Sequence, residues 1–477
     1  MLRTTIQAGL FLFALSALAP GRQAVDAAAL DAIVEDAFGA GEFPSLAVGV
    51  VHGDELVYAR ALGVAERASG REATVGTVYP IGSVTKVFTT TLLAMLRDEG
   101  LLRLDDPVAP LLPEGVVLPV DPRGDPAITF RHLATHSSGL PSVPVNVDGT
   151  PENPYGGYPT ALLYEGLPRT RLTFPIGAHV TYSNQGMALL GHCLELRTGK
   201  GYEALLKEKL LDPLGLASTR IELTAELRGR YAPGYLPGEL EEAFLWELGC
   251  LAPAGALVSN VPDLARFLSL QFRAGTADTE PVRGSTLAEL HRPQRILPDW
   301  EAAMGLGWIV ERDPELGLVT RHNGALSSHN SHVAFLARHG LGVVVLTNVG
   351  LGPATDAGDV GRRLMESAVA DLPSPIDPTV LRVAEAIGEH FRAEPGPTLA
   401  ELFHPDFLEA IPAGDLVAVF SSIHAGRGAA LELASIAEDG RPTAATAVYR
   451  MERGGELRCV FQIDSLGNPL LTYCRIE

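Results

Sequence analysis

Cysteine is scarce. Cys193, Cys250, Cys459 and Cys474 are the only four in 477 residues, too few for a disulfide scaffold. Basic residues are outnumbered, 37 Lys and Arg against 57 Asp and Glu, which leaves a formal charge of −20. A surface of that sign repels phosphate backbones and anionic lipid, so nucleic acid and membrane surfaces are poor partners. No stretch is long and apolar enough to span a bilayer, the N-terminal apolar run included. There is no internal repeat and no low-complexity tract. A Gly-x-Ser-x-Gly elbow is absent, which removes the α/β-hydrolase reading. Gly350-Leu351-Gly352 lacks the third Gly and the parallel context of a dinucleotide loop. His132 and His136 share a helical face without the intervening Glu of a zinc protease, and His329 and His332 face opposite sides of a strand, so no metal site is expected.

What is present is ordinary globular composition, 46% apolar and 20% charged, with a length that suggests two or three domains. Residues 1–27 read as an export signal. Arg3 supplies a small positive region, and Ala8–Ala19 is an apolar run too short to span a bilayer. Small-residue cleavage sites stand at Ala17-Leu18-Ala19 and Val25-Asp26-Ala27. No Cys follows the run, so a lipoprotein anchor has no attachment point; the competing reading is an uncleaved signal anchor. The expectation is an exported protein, periplasmic or secreted, with no membrane span after the signal.

Leu46–Val51 and Leu56–Val64 are expected to form a hairpin around His52-Gly53-Asp54. Ser83–Leu270 reads as mainly helical, its best helix at Val84–Arg97 and stopped by Gly100. Apolar strands follow at Gly305–Glu311, His332–Leu336 and Gly342–Thr347, with a shorter one at Leu318–Arg321 and a helix at about Ala357–Ala370. Sequential antiparallel strands without alternating helices argue against a doubly wound parallel sheet. Residues 28–372 form this first domain. Residues 373–379 are a proline-rich linker. Residues 380–477 carry helical segments to about Ile423 and then four short strands, a small α+β domain. Within it, Leu457–Ile463 and Leu470–Arg475 pair as a hairpin centred between Leu466 and Gly467, which sets Cys459 opposite Cys474. A cross-strand disulfide and two packed thiols both suit that arrangement.

Three local patterns carry chemistry. Gly82-Ser83-Val84-Thr85-Lys86 stands where a helix begins, and residues three apart share a helical face, so the Ser83 hydroxyl and the Lys86 amine can meet. Serine is a poor nucleophile until a neighbouring base takes its proton. Lysine, with a free pKa of about 10.4, serves as that base only when burial or nearby cations lower it. The helix start adds backbone N–H groups for a developing oxyanion. Tyr182-Ser183-Asn184, preceded by Phe174-Pro175-Ile176-Gly177 and followed by an apolar helix, offers a phenol able to act as a general base and groups suited to an amide or hydroxyl. His322-Asn323-Gly324 follows a strand; its Gly lets a substrate backbone lie along the strand edge, and the N–H of Ala325 can face a site. Each alone has a plainer account: a helix start with a solvated lysine, an ordinary helix cap, and a turn.

In this order the three patterns resemble the serine β-lactamase and penicillin-binding-protein superfamily. The likeness is greatest to its class C-like branch of β-lactamases, D-Ala-D-Ala carboxypeptidases, D-amino-acid peptidases and esterases. Phe43–Val48, Tyr79–Gly82, Leu104–Val108, Ile128–Leu140, Asp212–Leu216, Pro253–Leu257, Gly305–Trp308 and Gly342–Asn348 share it, so that it spans roughly Leu30 to Leu372. The resemblance implies an α+β fold (an α/β sandwich), in which an antiparallel sheet is flanked by helices on both faces and joined to a separate all-helical lobe, with the site between them. It implies that Ser83 is acylated, with Lys86 as base or proton relay. Tyr182 passes protons to the leaving group and later activates water, and Asn184 holds the substrate amide. The N–H groups of Ser83 and Ala325 form the oxyanion hole beside His322 and Gly324. No metal or organic cofactor is implied. The tail resembles the cystatin- or nuclear-transport-factor-2-like modules attached to some of these hydrolases, and no catalytic constellation is found in it.

One departure matters. Many β-lactamases of the superfamily carry Lys where this chain has His322. Lysine is a permanent cation for a substrate carboxylate, whereas histidine is mostly neutral at pH 7. Arg321 is a poor substitute, because adjacent strand residues point to opposite faces. This weakens a dedicated β-lactamase and agrees with the esterase and peptidase members, where His is frequent. By the same resemblance, Tyr155, Tyr158 and Tyr164 in the loop Pro141–Pro175, and Tyr235, Phe244 and Trp246 in Tyr231–Leu251, border the cleft; they either select substrate or pack the loops. The expectation is a serine hydrolase forming an acyl-enzyme on Ser83 and cleaving an ester or amide in a small molecule or peptide. An acyltransferase using the same acyl-enzyme, and a catalytically silent binding or sensing protein, are the alternatives. The oligomeric state has no signature in the sequence.

Overall fold

A computed structural model describes residues 25–372, apart from 122, 125–126, 240, 276–277, 298–300, 353 and 371. In the tail it describes 384, 387–388, 421, 430–438, 444–452, 456–463 and 469–476. Most of the segment read as an export signal, the linker and the helical part of the tail thus lie outside the described residues. The chain divides into two compact units, Met1–Pro373 and Ser374–Glu477.

The first unit is organised by a nine-stranded antiparallel sheet. Its strands are β1 (Ser45–His52), β2 (Glu55–Glu66), β3 (Arg71–Glu72), β4 (Arg295–Ile296), β5 (Ala302–Met304), β6 (Ile309–Asp313), β7 (Gly317–Ala325), β8 (Asn330–Leu336) and β9 (Leu341–Thr347). In space they run β3-β2-β1-β9-β8-β7-β6-β5-β4. The N-terminal hairpin is therefore stitched to the C-terminal strands through β1 and β9, with Leu46 opposite Thr347 and His52 opposite Leu341. The central strands β8 and β9 are buried along their whole length. β9 reads as an unbroken apolar run from Leu341 to Leu346 because both sheet faces are covered, whereas β8 opens on the buried polar residues Asn330, Ser331 and His332. On one face Val333, Phe335, Val344 and Leu346 join the core of the helix Val261–Gln271. On the other, Ala334, Leu336, Val343 and Val345 join that of the helices Ala27–Ala40 and Ala357–Ala370.

The helical middle of the chain forms its own lobe around the helix Thr85–Asp98, whose residues from Thr85 to Leu96 are all buried. A helix enclosed on every side is the centre of a core rather than an amphipathic cover. A 3₁₀ turn, Gly82–Val84, leads into it, and Gly100 ends the segment at φ +73°. Two expected strands fall differently. The one expected over Gly305–Glu311 starts only at Ile309, because Gly307 turns the chain at φ +78° and the following Trp308 is buried in the core. His322-Asn323-Gly324, expected just after a strand, lies inside β7, because pairing with β8 continues as far as Ala325 opposite Asn330.

In the second unit four strands, Ala430–Glu438, Ala444–Met451, Glu456–Ile463 and Pro469–Ile476, pair antiparallel in sequential order. The register sets Cys459 opposite Cys474; the side chain of Cys474 lies outside the described residues. The Tyr449 hydroxyl donates to the carbonyl of Ala384 at 2.5 Å, both residues being buried.

Candidate active site

Ser83 sits in the 3₁₀ turn and Lys86 one turn on, on the same face. Lys86 is fully buried, and its Nζ donates to Ser83 Oγ at 2.9 Å and to the carbonyl of Ala254 at 2.5 Å. Burial pushes the amine well below the ordinary lysine range, since an ammonium removed from water without a carboxylate partner is the disfavoured form. The neutral amine has a lone pair to take a proton. The local sequence explains the placement. Gly82, at φ +48°, is pressed against the end of β7, where an added Cβ would lie 3.0 Å from the N of Ala325. Gly324 faces back with the same need, since its Cβ would fall 2.0 Å from the carbonyl O of Ile81. Gly324 thus clears room for the turn that carries Ser83, not for substrate as the sequence suggested.

Tyr182 reaches the same place from the start of the helix Asn184–Thr198. Lys86 Nζ lies 4.6 Å from the centroid of its ring. Burial raises the phenol's pKa, a shift opposed by its hydrogen bond with Ser83. Ser183 caps the helix, accepting from the N of Gly186 at 2.8 Å, so its role is structural. Asn184 and Ala325 line the pocket that Ser83 opens into.

His322 is buried, with Nδ1 2.7 Å from the carbonyl O of Asn323. Nδ1 therefore carries the proton, and the buried Nε2 has no hydrogen-bond partner among the described residues. Burial, then the nearby Lys86, push its pKa down to about 3. Arg321 points to the other sheet face and pairs with Glu311 at 2.7 Å.

Sequence reasoning missed His136. The helix that carries His132 ends at Ala134, so the two histidines do not share a helical face as expected. His136 instead adopts φ +53°, alone among the described non-glycine residues, a conformation that costs about 1–3 kcal/mol and persists where surroundings over-determine it. Its ring stacks on Tyr182 with centroids 4.5 Å apart. The only signal was its place in the segment Ile128–Leu140. The carbonyl of Ala254 and the apolar residues Leu248 and Leu251 also belong to the site. Of the six aromatics, Tyr155 and Trp246 line the pocket. Tyr158, bonded to Asn146, and Tyr235, accepting from the N of Arg67, are buried loop anchors. Tyr164 bonds His192, and Phe244 is exposed. Among the described residues no cluster of three or more His, Cys, Asp or Glu could hold a metal ion, and none of those lining the pocket is charged.

A serine one turn ahead of a buried lysine, where a helical lobe meets an antiparallel sheet of this topology, defines a class: the active-site-serine hydrolases of the β-lactamase/transpeptidase-like fold. The chain belongs to the beta-lactamase family, whose model matches residues 30–366. It is similar to Penicillin-binding protein 4 of Amycolatopsis lactamdurans, 30% identical over 370 residues that make up 73% of this chain and 93% of that one. Among solved structures it is similar to the β-lactamase/D-alanine carboxypeptidase of Yersinia pestis complexed with citrate, with a TM-score of 0.62, 24% identity and coverage of 72% and 98%. It is also similar to the octameric penicillin-binding protein homologue of Pyrococcus abyssi, with a TM-score of 0.61, 21% identity and coverage of 94% and 90%. Both structural likenesses concern the fold.

Proposed function

We propose that this protein is a serine hydrolase that is acylated at Ser83 and cleaves a neutral ester or amide. The observation that carries this reading is the buried Lys86 amine, 2.9 Å from Ser83 Oγ and pushed down by burial. As Oγ attacks the carbonyl, Lys86 takes its proton. Tyr182, held protonated at rest by burial, passes a proton to the leaving group, and later the pair draws one from the attacking water. The N–H groups of Ser83 and Ala325 receive the oxyanion, and Asn184 holds the polar group beside the scissile bond. Preorganised donors of this kind are worth about 10²–10³ in rate each.

The uncharged lining favours a substrate without a carboxylate beside the scissile bond. Lys86 is a poor counter-ion in its neutral state, His322 stays neutral, and Arg321 is committed to Glu311 on the far face. Esters and amides of neutral small molecules or peptides therefore fit better than a penicillin or a D-Ala-D-Ala terminus. No helix of the described residues is long and apolar enough to cross a membrane, and we read residues 1–27 as an export signal that delivers the enzyme to the periplasm or medium.

Intact-protein mass spectrometry tests this. The chain is incubated separately with a fluorophosphonate, a short-chain p-nitrophenyl ester, a penicillin and a D-Ala-D-Ala peptide, with Ser83→Ala as control. The expected result is a fluorophosphonate adduct on Ser83 and turnover of the ester, with neither adduct nor turnover of the penicillin. A penicillin adduct on Ser83 would reject the neutral-substrate reading, and no adduct with any reagent would reject the hydrolase.

A further inference from the structure

The segment Ile128–Leu140 has no assigned part in the reaction, yet it touches the proposed proton carrier on three sides. The carbonyl of His136 accepts from the N of Thr181 at 2.9 Å. Its ring Nδ1 accepts from the N of Ser183 at 3.1 Å. Between these two bonds its imidazole stacks on the Tyr182 ring, 4.5 Å between centroids and 30° from parallel. One residue thus holds the backbone before Tyr182, the backbone after it and the ring itself. The left-handed backbone of His136, φ +53°, is what turns its carbonyl and its ring toward the same three-residue stretch. The following residues extend the clamp: the carbonyl of Pro141 accepts from Ser183 Oγ at 2.7 Å and that of Ser142 from the N of Asn184 at 3.0 Å.

We propose that His136 is a positioning residue for proton transfer, fixing the Tyr182 hydroxyl against Ser83 through this three-point clamp. The proposal rests on the hydrolase reading above. The ring works as a neutral acceptor: a proton on Nδ1 would oppose the N–H of Ser183. With Nδ1 accepting, the proton lies on Nε2, which is buried without a hydrogen-bond partner among the described residues. His322, whose ring lies 6.2 Å from that of Tyr182, likewise has a buried Nε2 without a hydrogen-bond partner among the described residues.

The test uses two aryl esters that differ in their demand for a proton. p-Nitrophenyl acetate has a leaving group that departs unprotonated, whereas phenyl acetate has one that gains from a donor in the transition state. His136→Asn keeps a short acceptor and tolerates the left-handed backbone, but removes the stacked ring. It should lower kcat/KM for phenyl acetate by roughly 10- to 100-fold, the scale of an ångström-sized misplacement. For p-nitrophenyl acetate and for fluorophosphonate labelling of Ser83 the rates should stay within about threefold. In a Tyr182→Phe background His136→Asn should have no further effect, since the residue acts through the phenol. Equal losses on both esters, a multiplicative loss in the Tyr182→Phe background, or no loss at all would each overturn the proposal. His136→Phe, which keeps the ring and removes the acceptor, should show the same ester discrimination if His136→Asn is too unstable to assay. Failure of the unmodified protein to label at Ser83 would instead overturn the hydrolase reading, and this assignment with it.

Discussion

The Nζ atom of Lys86 sits 4.6 Å from the centroid of the Tyr182 ring, and burial drives the two groups' pKa values apart, the amine's down and the phenol's up. Burial favours the uncharged form of each, with the proton on the phenol and a lone pair on the amine. Separated values of this kind assign acid and base. The sequence offered Tyr182 as a phenol able to act as a general base; burial raises its pKa instead, which under the proposed mechanism leaves Lys86 as the better acceptor.

Lys86→Arg tests that assignment. Guanidinium remains protonated throughout the working range, so it can hold a position near Ser83 but cannot accept its proton. Acylation by a p-nitrophenyl ester should fall by about 10²–10⁴-fold, the usual worth of a positioned base. Stopped-flow release of nitrophenolate measures it, with circular dichroism to confirm folding. A variant that acylates at the original rate would show that Lys86 serves only as a cation.

Acid should destabilise the protein before its carboxylates titrate. Burial pushes His291, His322 and His332 down to about 3 and His329 to about 4, whereas an unfolded chain holds histidine near 6.5. Below that value the unfolded state binds protons that the folded state refuses, so stability is retained above about pH 6.5 and lost as pH falls toward 4. Each such group should remove roughly 2 kcal/mol by pH 5, against a total stability of about 5–15 kcal/mol. Urea unfolding at pH 7, 6 and 5 measures this. A level profile across that range would mean that these histidines are protonated, or reached by water, in the native state.

Gly324→Ala places a methyl group 2.0 Å from the carbonyl O of Ile81 and 2.3 Å from Ser331 Oγ. Backbone is the unyielding partner, so β7 and the turn that carries Ser83 must separate. A loss of at least about 3 kcal/mol is expected, the upper end for an overpacked site, with fluorophosphonate labelling slowed in whatever folded protein remains. Thermal melts and labelling rates read the two effects apart. Normal labelling in a stable variant would show that the contact of Gly324 with Ile81 does not set the serine.

Much of this could be read in the chain because local chemistry and global fold agree there. Val343 to Leu346 alternate between two buried faces, which leaves a continuous apolar run. Ser83 and Lys86 lie one helical turn apart, so their meeting needs only the helix. Tyr182 could be joined to them only through resemblance, since nothing local says that a loop a hundred residues on returns to this helix. His136 was illegible for a different reason. Its role depends on a left-handed backbone that no histidine advertises, and the regular helix assumed there aimed it elsewhere. The role of Gly324 was half visible, as a glycine that something approaches closely, but not that it and Gly82 each make room for the other's segment.

Arg321 is the cation that sequence proximity offers to a substrate carboxylate, and β7 decides against it. His322 and Gly324 face Ser83, whereas Arg321 and Asn323 line a cavity on the opposite face with His332, as alternation along a strand requires. There Arg321 Nη2 pairs with Glu311 at 2.7 Å, a half-exposed pair of the sort worth about 0–1 kcal/mol. Arg321→Ala should therefore lower the melting temperature by only a few degrees and leave kcat/KM for p-nitrophenyl acetate within about twofold. The ratio of penicillin labelling to fluorophosphonate labelling should also stay where it is. If removing Arg321 selectively abolished reaction with a carboxylate-bearing substrate, the guanidinium would have to reach the pocket, and the uncharged lining that favours neutral substrates would no longer describe the working site.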